Sequence, residues 1–154
     1  MRNRFKTLIP PPVYLLFFAT LMWLLNCYFP LYQWLEMPWR YAGLVLIVLA
    51  GLSDLWSLSL FLKLHTTPNP MRPSAATHLV TTGLYRYSRN PMYMGMLVML
   101  IGWWIWLGSI TPILMLPIFI LVLVKMQIEP EEEALEARFG DTYRHYKNSV
   151  PRWF

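Results

Sequence analysis

Charge is scarce in this sequence: of 154 residues, 14% are charged and 56% hydrophobic, where soluble domains average roughly a quarter charged. A water-soluble fold of this length cannot bury so much apolar surface, so lipid is the solvent for much of the chain. Cysteine is nearly absent. The single Cys27 lies in an apolar run and excludes a disulfide framework and a cysteine-based zinc site. The sequence also lacks G-x-G-x-x-G, a phosphate loop, G-x-S-x-G and H-E-x-x-H, which removes the common nucleotide, hydrolase and metalloprotease templates. His65, His78 and His145 are too dispersed to form a metal site, so no metal is expected. No apolar stretch alternates with period two, which excludes a β-barrel and leaves helices to satisfy the backbone in lipid. The net charge of +5 comes from basic residues scattered at the ends of apolar stretches. With no basic face interleaved with aromatics, nucleic acid is not an expected partner.

What is present is apolar length. Four segments, 13–29, 41–62, 92–108 and 112–128, approach the roughly 20 residues that cross a bilayer core. They predict one all-α integral membrane domain over 1–154 with about four transmembrane helices. The first segment follows Arg2, Arg4 and Lys6 like a signal peptide, but no small-residue cleavage site follows it, so a retained helix is expected. Lys63, Arg72, Arg86 and Arg89 lie between the second and third segments, and Lys125, Arg138, Arg144, Lys147 and Arg152 near the end of the chain. Only Arg40 falls in the other loops. The positive-inside rule then makes the protein multi-pass with both termini and the connector 63–91 cytoplasmic. Trp103, Trp104 and Trp106 are expected near the outer interface, before a tight turn at Ser109-Ile110-Thr111.

The water-facing chain is mostly two pieces, 63–91 and 129–154, on one side. In the first, Pro68, Pro70 and Pro73 exclude a long helix. In the second, Pro130 followed by Glu131, Glu132 and Glu133 predicts a fresh helix start, with acids on the positive dipole end and Gly140 as the stop. At about 100° per residue, Glu131 and Glu132 border the apolar stripe of Leu135 and Phe139, while Glu133 and Glu136 point away. Read plainly, this run is a solvated cap. Read functionally, carboxylates beside a buried stripe need a cationic partner: Arg86, Arg89 or a bound cation. The stretch 83–95 likewise reads as a turn, interfacial tyrosines Tyr85, Tyr87 and Tyr93, and a helix start at Asn90-Pro91, with Gly95 allowing close approach. Asp54 is the one acid within an apparent span. It is either a functional group facing the bundle or a polar contact to Ser53, Ser57 or a neighbouring helix.

These two stretches carry a resemblance. HLVTTGLYRYSRNPMYMG, starting at His78, resembles the L-V-x-x-G-x-Y-x-x-x-R-H-P-x-Y-x-G of the isoprenylcysteine carboxyl methyltransferase family, whose wider superfamily includes phospholipid N-methyltransferases. EEEALEARFGDTYRHYKNSVPRW, starting at Glu131, resembles that family's E-E-x-x-L-x-x-x-F-G-x-x-Y-x-x-Y-x-x-x-V. The resemblance covers the C-terminal half and implies a site for S-adenosyl-L-methionine between the membrane surface and segments 77–95 and 127–150, without a Rossmann domain. It implies cofactor contacts from His78, Leu79, Val80, Tyr85, Asn90, Pro91, Met92, Tyr93 and Glu131. Arg89 and Glu132, matching the motif Arg and the second Glu, are its catalytic candidates. Gln127 stands where these enzymes place an arginine toward the substrate, and Asn90 where they place histidine. Gln127 by this comparison, and Asp54 separately as the intramembrane acid, are the substrate-facing candidates. The implied reaction is methyl transfer to a lipophilic acceptor at the bilayer: a prenylcysteine carboxylate, or alternatively a phospholipid amine or a thiol. The reading from another class is a small membrane scaffold or transporter subunit. Nothing in the sequence speaks to oligomeric state.

Overall fold

A computed structural model of the protein describes residues 9–63 and 78–153. The basic residues Arg2, Arg4, Lys6 and Arg72, together with His65, Pro68, Pro70 and Pro73, lie outside the described residues. Within them the chain is all α-helical. The helices are α1 (Pro11–Tyr28), α2 (Tyr41–Lys63), α3 (Pro91–Leu107), α4 (Met115–Leu123), α5 (Glu129–Phe139) and α6 (Asp141–Ser149). The only β-type pairing among the described residues is an isolated bridge between Gln33 and Ser109.

Length and surface chemistry make this an integral membrane protein. α1, α2 and the continuous helical run Thr111–Phe139 are long and apolar enough to cross a bilayer. α3, at 17 residues, spans about 26 Å at 1.5 Å per residue, just short of a hydrocarbon core of about 30 Å. Leu16, Phe17 and Trp23 on α1 and Val45, Val48, Leu49, Leu52 and Leu55 on α2 are exposed. Such continuous apolar surface is a liability in water and the normal outer face of a helix in lipid. Inside, Phe18 and Met22 of α1, Met96 and Leu100 of α3, and Phe119 and Leu123 of α4 form the core. Phe18 meets Phe119 edge to face at 5.3 Å.

α2 lies antiparallel along α3, and small residues set how closely. A Cβ at Gly102 would stand 2.6 Å from the Gly43 carbonyl oxygen, so the two backbones touch where both residues lack side chains. On the side away from the motif segments, Trp34 stacks on Trp104 at 4.8 Å. There the Thr111 hydroxyl donates to the Phe29 carbonyl at 2.6 Å. α3 stops at Gly108, whose left-handed φ of 73° terminates the helix.

Pro130 does not open a separate helix. Ile128 and Glu129 are helical on both dihedrals, and α4 runs into α5 through a π-turn at Val124–Ile128. A proline in a regular helix strips one hydrogen bond and clashes with the carbonyl four residues back. Here the Glu129 amide reaches back five residues to the Val124 carbonyl, and this widened turn absorbs the defect. The acids therefore do not cap a free helix end. Gly140, with φ of 54°, closes α5, and α6 begins at the next residue.

Candidate active site

The two motif stretches meet where α3 begins and α5 leaves the apolar run. Gly83, at φ 62°, opens a short 3-10 turn Gly83–Arg86, and a side chain there would strike Leu60 of α2. The turn buries Tyr85 beneath Phe61, the rings edge to face at 5.4 Å. From the other segment, the Tyr146 hydroxyl donates to the Tyr85 carbonyl at 2.7 Å. The tail then straps across the start of α3. The Arg89 amide donates to the Pro151 carbonyl at 3.0 Å, and the Asn90 side-chain amide to the Arg152 carbonyl at 3.1 Å.

Adjacent positions on α5 give Glu131 and Glu132 different surroundings. Glu131 lies beyond the apolar stretch that ends at Ile128 and turns toward α3, where the Tyr93 hydroxyl donates to its Oε2 at 2.9 Å. Burial pushes this carboxyl up to about 7; the Tyr93 hydrogen bond opposes the shift and the nearby Glu132 charge adds to it. Glu132 is buried and faces the tail. Arg152 grips it through Nε at 3.0 Å and Nη2 at 2.8 Å, and Arg89 Nη1 lies 3.0 Å from its Oε1. Tyr143, fully buried beside this cluster, is pushed up to about 12 by burial and then by the Glu132 charge. Glu133 is exposed, and Glu136 pairs outward with Arg144 and Lys147.

The structure thus brings Tyr85, Arg89, Asn90, Tyr93, Glu131 and Glu132 into one region, and Pro91 and Val80 are buried. Leu79 joins an apolar cluster with Leu135, Phe139, Tyr143, Tyr146 and Val150. Met92 is half-buried on α3, and His78 is exposed. Gln127 points elsewhere: it is fully buried, and its amide donates to the Ile9 carbonyl at 2.8 Å, at the foot of α1. Asp54 packs against the Gly95 position on α3, and its Oδ1 and the Ser57 Oγ are both buried without a hydrogen-bond partner. Sequence reasoning counted Arg152 only as a topology signal and missed it as the chief partner of Glu132. The apolar face Leu135, Phe139, Tyr143, Tyr146, Val150 foreshadowed a tail folding back on α5.

A model of the family described as phospholipid methyltransferase matches residues 39–142, which include the Tyr93–Glu131 pair. An uncharacterized protein of Haemophilus influenzae is 48% identical over 62 residues, covering 40% of this chain and 98% of that one. Protein-S-isoprenylcysteine O-methyltransferase of Schizosaccharomyces pombe is 34% identical over 73 residues, covering 47% of this chain and 31% of the relative. The enzyme of that name in Dictyostelium discoideum is 39% identical over 79 residues, covering 47% and 30%. The chain therefore spans less than a third of the length of the two named methyltransferases. No solved structure matches. The family match extends over more than half of the sequence, and on that ground the chain belongs to the phospholipid methyltransferase family of membrane proteins.

Proposed function

We propose that the chain is a single-domain membrane methyltransferase that takes its methyl group from S-adenosyl-L-methionine and passes it to a lipophilic acceptor. The observation that supports this most is the Tyr93–Glu131 hydrogen bond, which couples the two motif segments across 38 residues of sequence. The residues fit such a donor. Glu131 spends Oε2 on Tyr93 and keeps Oε1 for an ammonium group, and the buried rings of Tyr85 and Tyr93 suit a sulfonium. When bound, the donor supplies an electrophilic methyl group.

Everything else falls to the chain. Glu131 and Tyr93 orient the donor, the tail strap from Val150 to Trp153 covers the start of α3, and the apolar helices exclude water from the reacting atoms. Glu132 spends its charge on both Arg89 and Arg152, which favours a clamp holding this geometry over direct contact with the reacting atoms. The site lies at the cytoplasmic face, both termini share that side, and the acceptor arrives laterally from the bilayer. Purified protein should move a labelled methyl group from S-adenosyl-L-methionine onto a component of a membrane lipid extract. Transfer unchanged in Glu131→Gln would contradict the assignment.

A further inference from the structure

Gln127 is a polar side chain in an apolar place, and it is only half used. It is wholly buried, its Nε2 donates to the Ile9 carbonyl at 2.8 Å, and its Oε1 is buried with no hydrogen-bond partner. A buried acceptor left unpaired is costly, so a leucine or methionine would serve packing better here. What the amide holds is the entry to α1. Pro10, Pro11 and Pro12 follow Ile9 and have no N–H to give its carbonyl. The first amide of the helix, that of Val13, donates to the Pro10 carbonyl at 2.9 Å. Gln127 supplies the missing donor across 118 residues of sequence. The helix it holds is itself well anchored. Phe18 and Met22 pack into the core with Phe119 and Leu123, and the Trp103 indole donates to the Ala19 carbonyl at 3.0 Å.

The other end of this bond lies in the widened turn. Gln127 belongs to Val124–Ile128, just before the helix that carries Glu131. One extra residue in a turn is worth about 100° of helical phase. That phase decides whether Glu131 faces α3, where the Tyr93 hydroxyl donates to its Oε2 at 2.9 Å, or turns away from it. Pro130 forbids a regular helix here, but a kink accommodates a proline as readily as a widened turn does. We propose that the Gln127–Ile9 bond selects the widened turn. Gln127 is then a positioning residue, through which α1 sets the register in which Glu131 meets Tyr93 and the methyl donor. The family match begins at residue 39, so α1 lies outside it, and the control comes from a helix that carries neither motif. This rests on the methyltransferase reading above and gives Gln127 a part in donor binding in place of contact with the acceptor.

The test uses the full chain in dodecyl maltoside micelles and compares stability with donor-site affinity. Gln127→Met keeps the side chain's length and removes two buried polar atoms, one paired and one not. Ile9 is 42% exposed, so its carbonyl can find another donor. The melting temperature should therefore stay within about 4 °C of wild type. Affinity for S-adenosylhomocysteine, measured by calorimetric titration, should nevertheless fall at least fivefold. Gln127→Asn, one methylene too short to reach Ile9, should lose as much. The decisive readout is coupling. In a Glu131→Gln background the same substitutions should change affinity less than twofold, because the carboxylate they would misplace is already gone. Losses that simply add would make Gln127 a general structural residue and overturn the proposal. Unchanged affinity in both single variants would also overturn it. So would a change confined to KM for the acceptor, which would put Gln127 in the acceptor's pocket. If Gln127→Met does not fold, Gln127→Asn and its cycle with Glu131→Gln decide alone. Failure of wild type to bind S-adenosylhomocysteine sinks the methyltransferase reading itself, a pattern distinct from donor binding that ignores Gln127.

Discussion

Replacing Glu132 by glutamine separates a clamp from a catalyst. Its side chain is 8% exposed, Arg89's 9% and Arg152's 34%, so the carboxylate sits between one sequestered guanidinium and one partly wet one. Removing the anion from a buried pair costs about 3–5 kcal/mol, because the remaining charge loses its compensation. The partial exposure of Arg152 lets water recover some of that, which lowers the expectation for Glu132→Gln to about 2–4 kcal/mol. At about 2–4 °C per kcal/mol for a chain of this size, the melting temperature should fall by roughly 5–15 °C. The loss should be local first. Amide exchange should rise at Arg89 and in the tail around Val150, where the Arg89–Pro151 and Asn90–Arg152 bonds fasten the strap. Intrinsic tryptophan fluorescence during heating in detergent gives the melting temperature, and exchange mass spectrometry gives the location. A variant that melts within 2 °C of wild type yet loses all methyl transfer would refute the clamp and return Glu132 to the chemistry.

The pH dependence of stability should trace Glu131. Its folded pKa is raised, so the protonated form stabilises the unliganded protein: the contribution is full below about pH 4.5 and is lost as pH rises through about 7. The unliganded melting temperature should therefore fall across this window in wild type and not in Glu131→Gln, while affinity for S-adenosylhomocysteine, whose ammonium needs the carboxylate, rises. Identical pH profiles for the two proteins would remove the raised carboxyl. Gly102→Ala should destabilise more than an exposed substitution such as Leu52→Ala, by about 1–3 kcal/mol, since its Cβ meets the Gly43 carbonyl; equal melting temperatures would deny the close crossing. In a Cys27→Ser background, Ala76→Cys should react with membrane-impermeant maleimide only after the cells are opened, and labelling of intact cells would reverse the topology.

The membrane class was legible because apolar length and missing charge are sequence-local quantities, and so was the facing of the acids, since helical phase places Glu131 and Glu132 inward and Glu133 outward. The path through Pro130 was not. A proline after an apolar run reads as a start signal, and only the backbone shows that a π-turn lets the helix continue. Arg152 was hidden for a related reason: its partner lies 20 residues away, and the contact exists only because α6 folds back on α5. Gln127 sits four residues before Glu131, which on a regular helix means the same face. The widened turn between them changes that phase, and the amide reaches Ile9.

Glu131 and Tyr93 are proposed to hold the methyl donor's cationic end, and calorimetric titration of S-adenosylhomocysteine into the detergent-purified chain tests this role most directly. Wild type should bind with one site per chain. Glu131→Gln should weaken binding at least tenfold, about 1.4 kcal/mol. Tyr93→Phe, which removes the 2.9 Å bond but leaves the carboxylate, should weaken it less, and Glu133→Gln should change nothing. Equal losses from Glu131→Gln and Glu133→Gln, or no binding to wild type, would contradict the account.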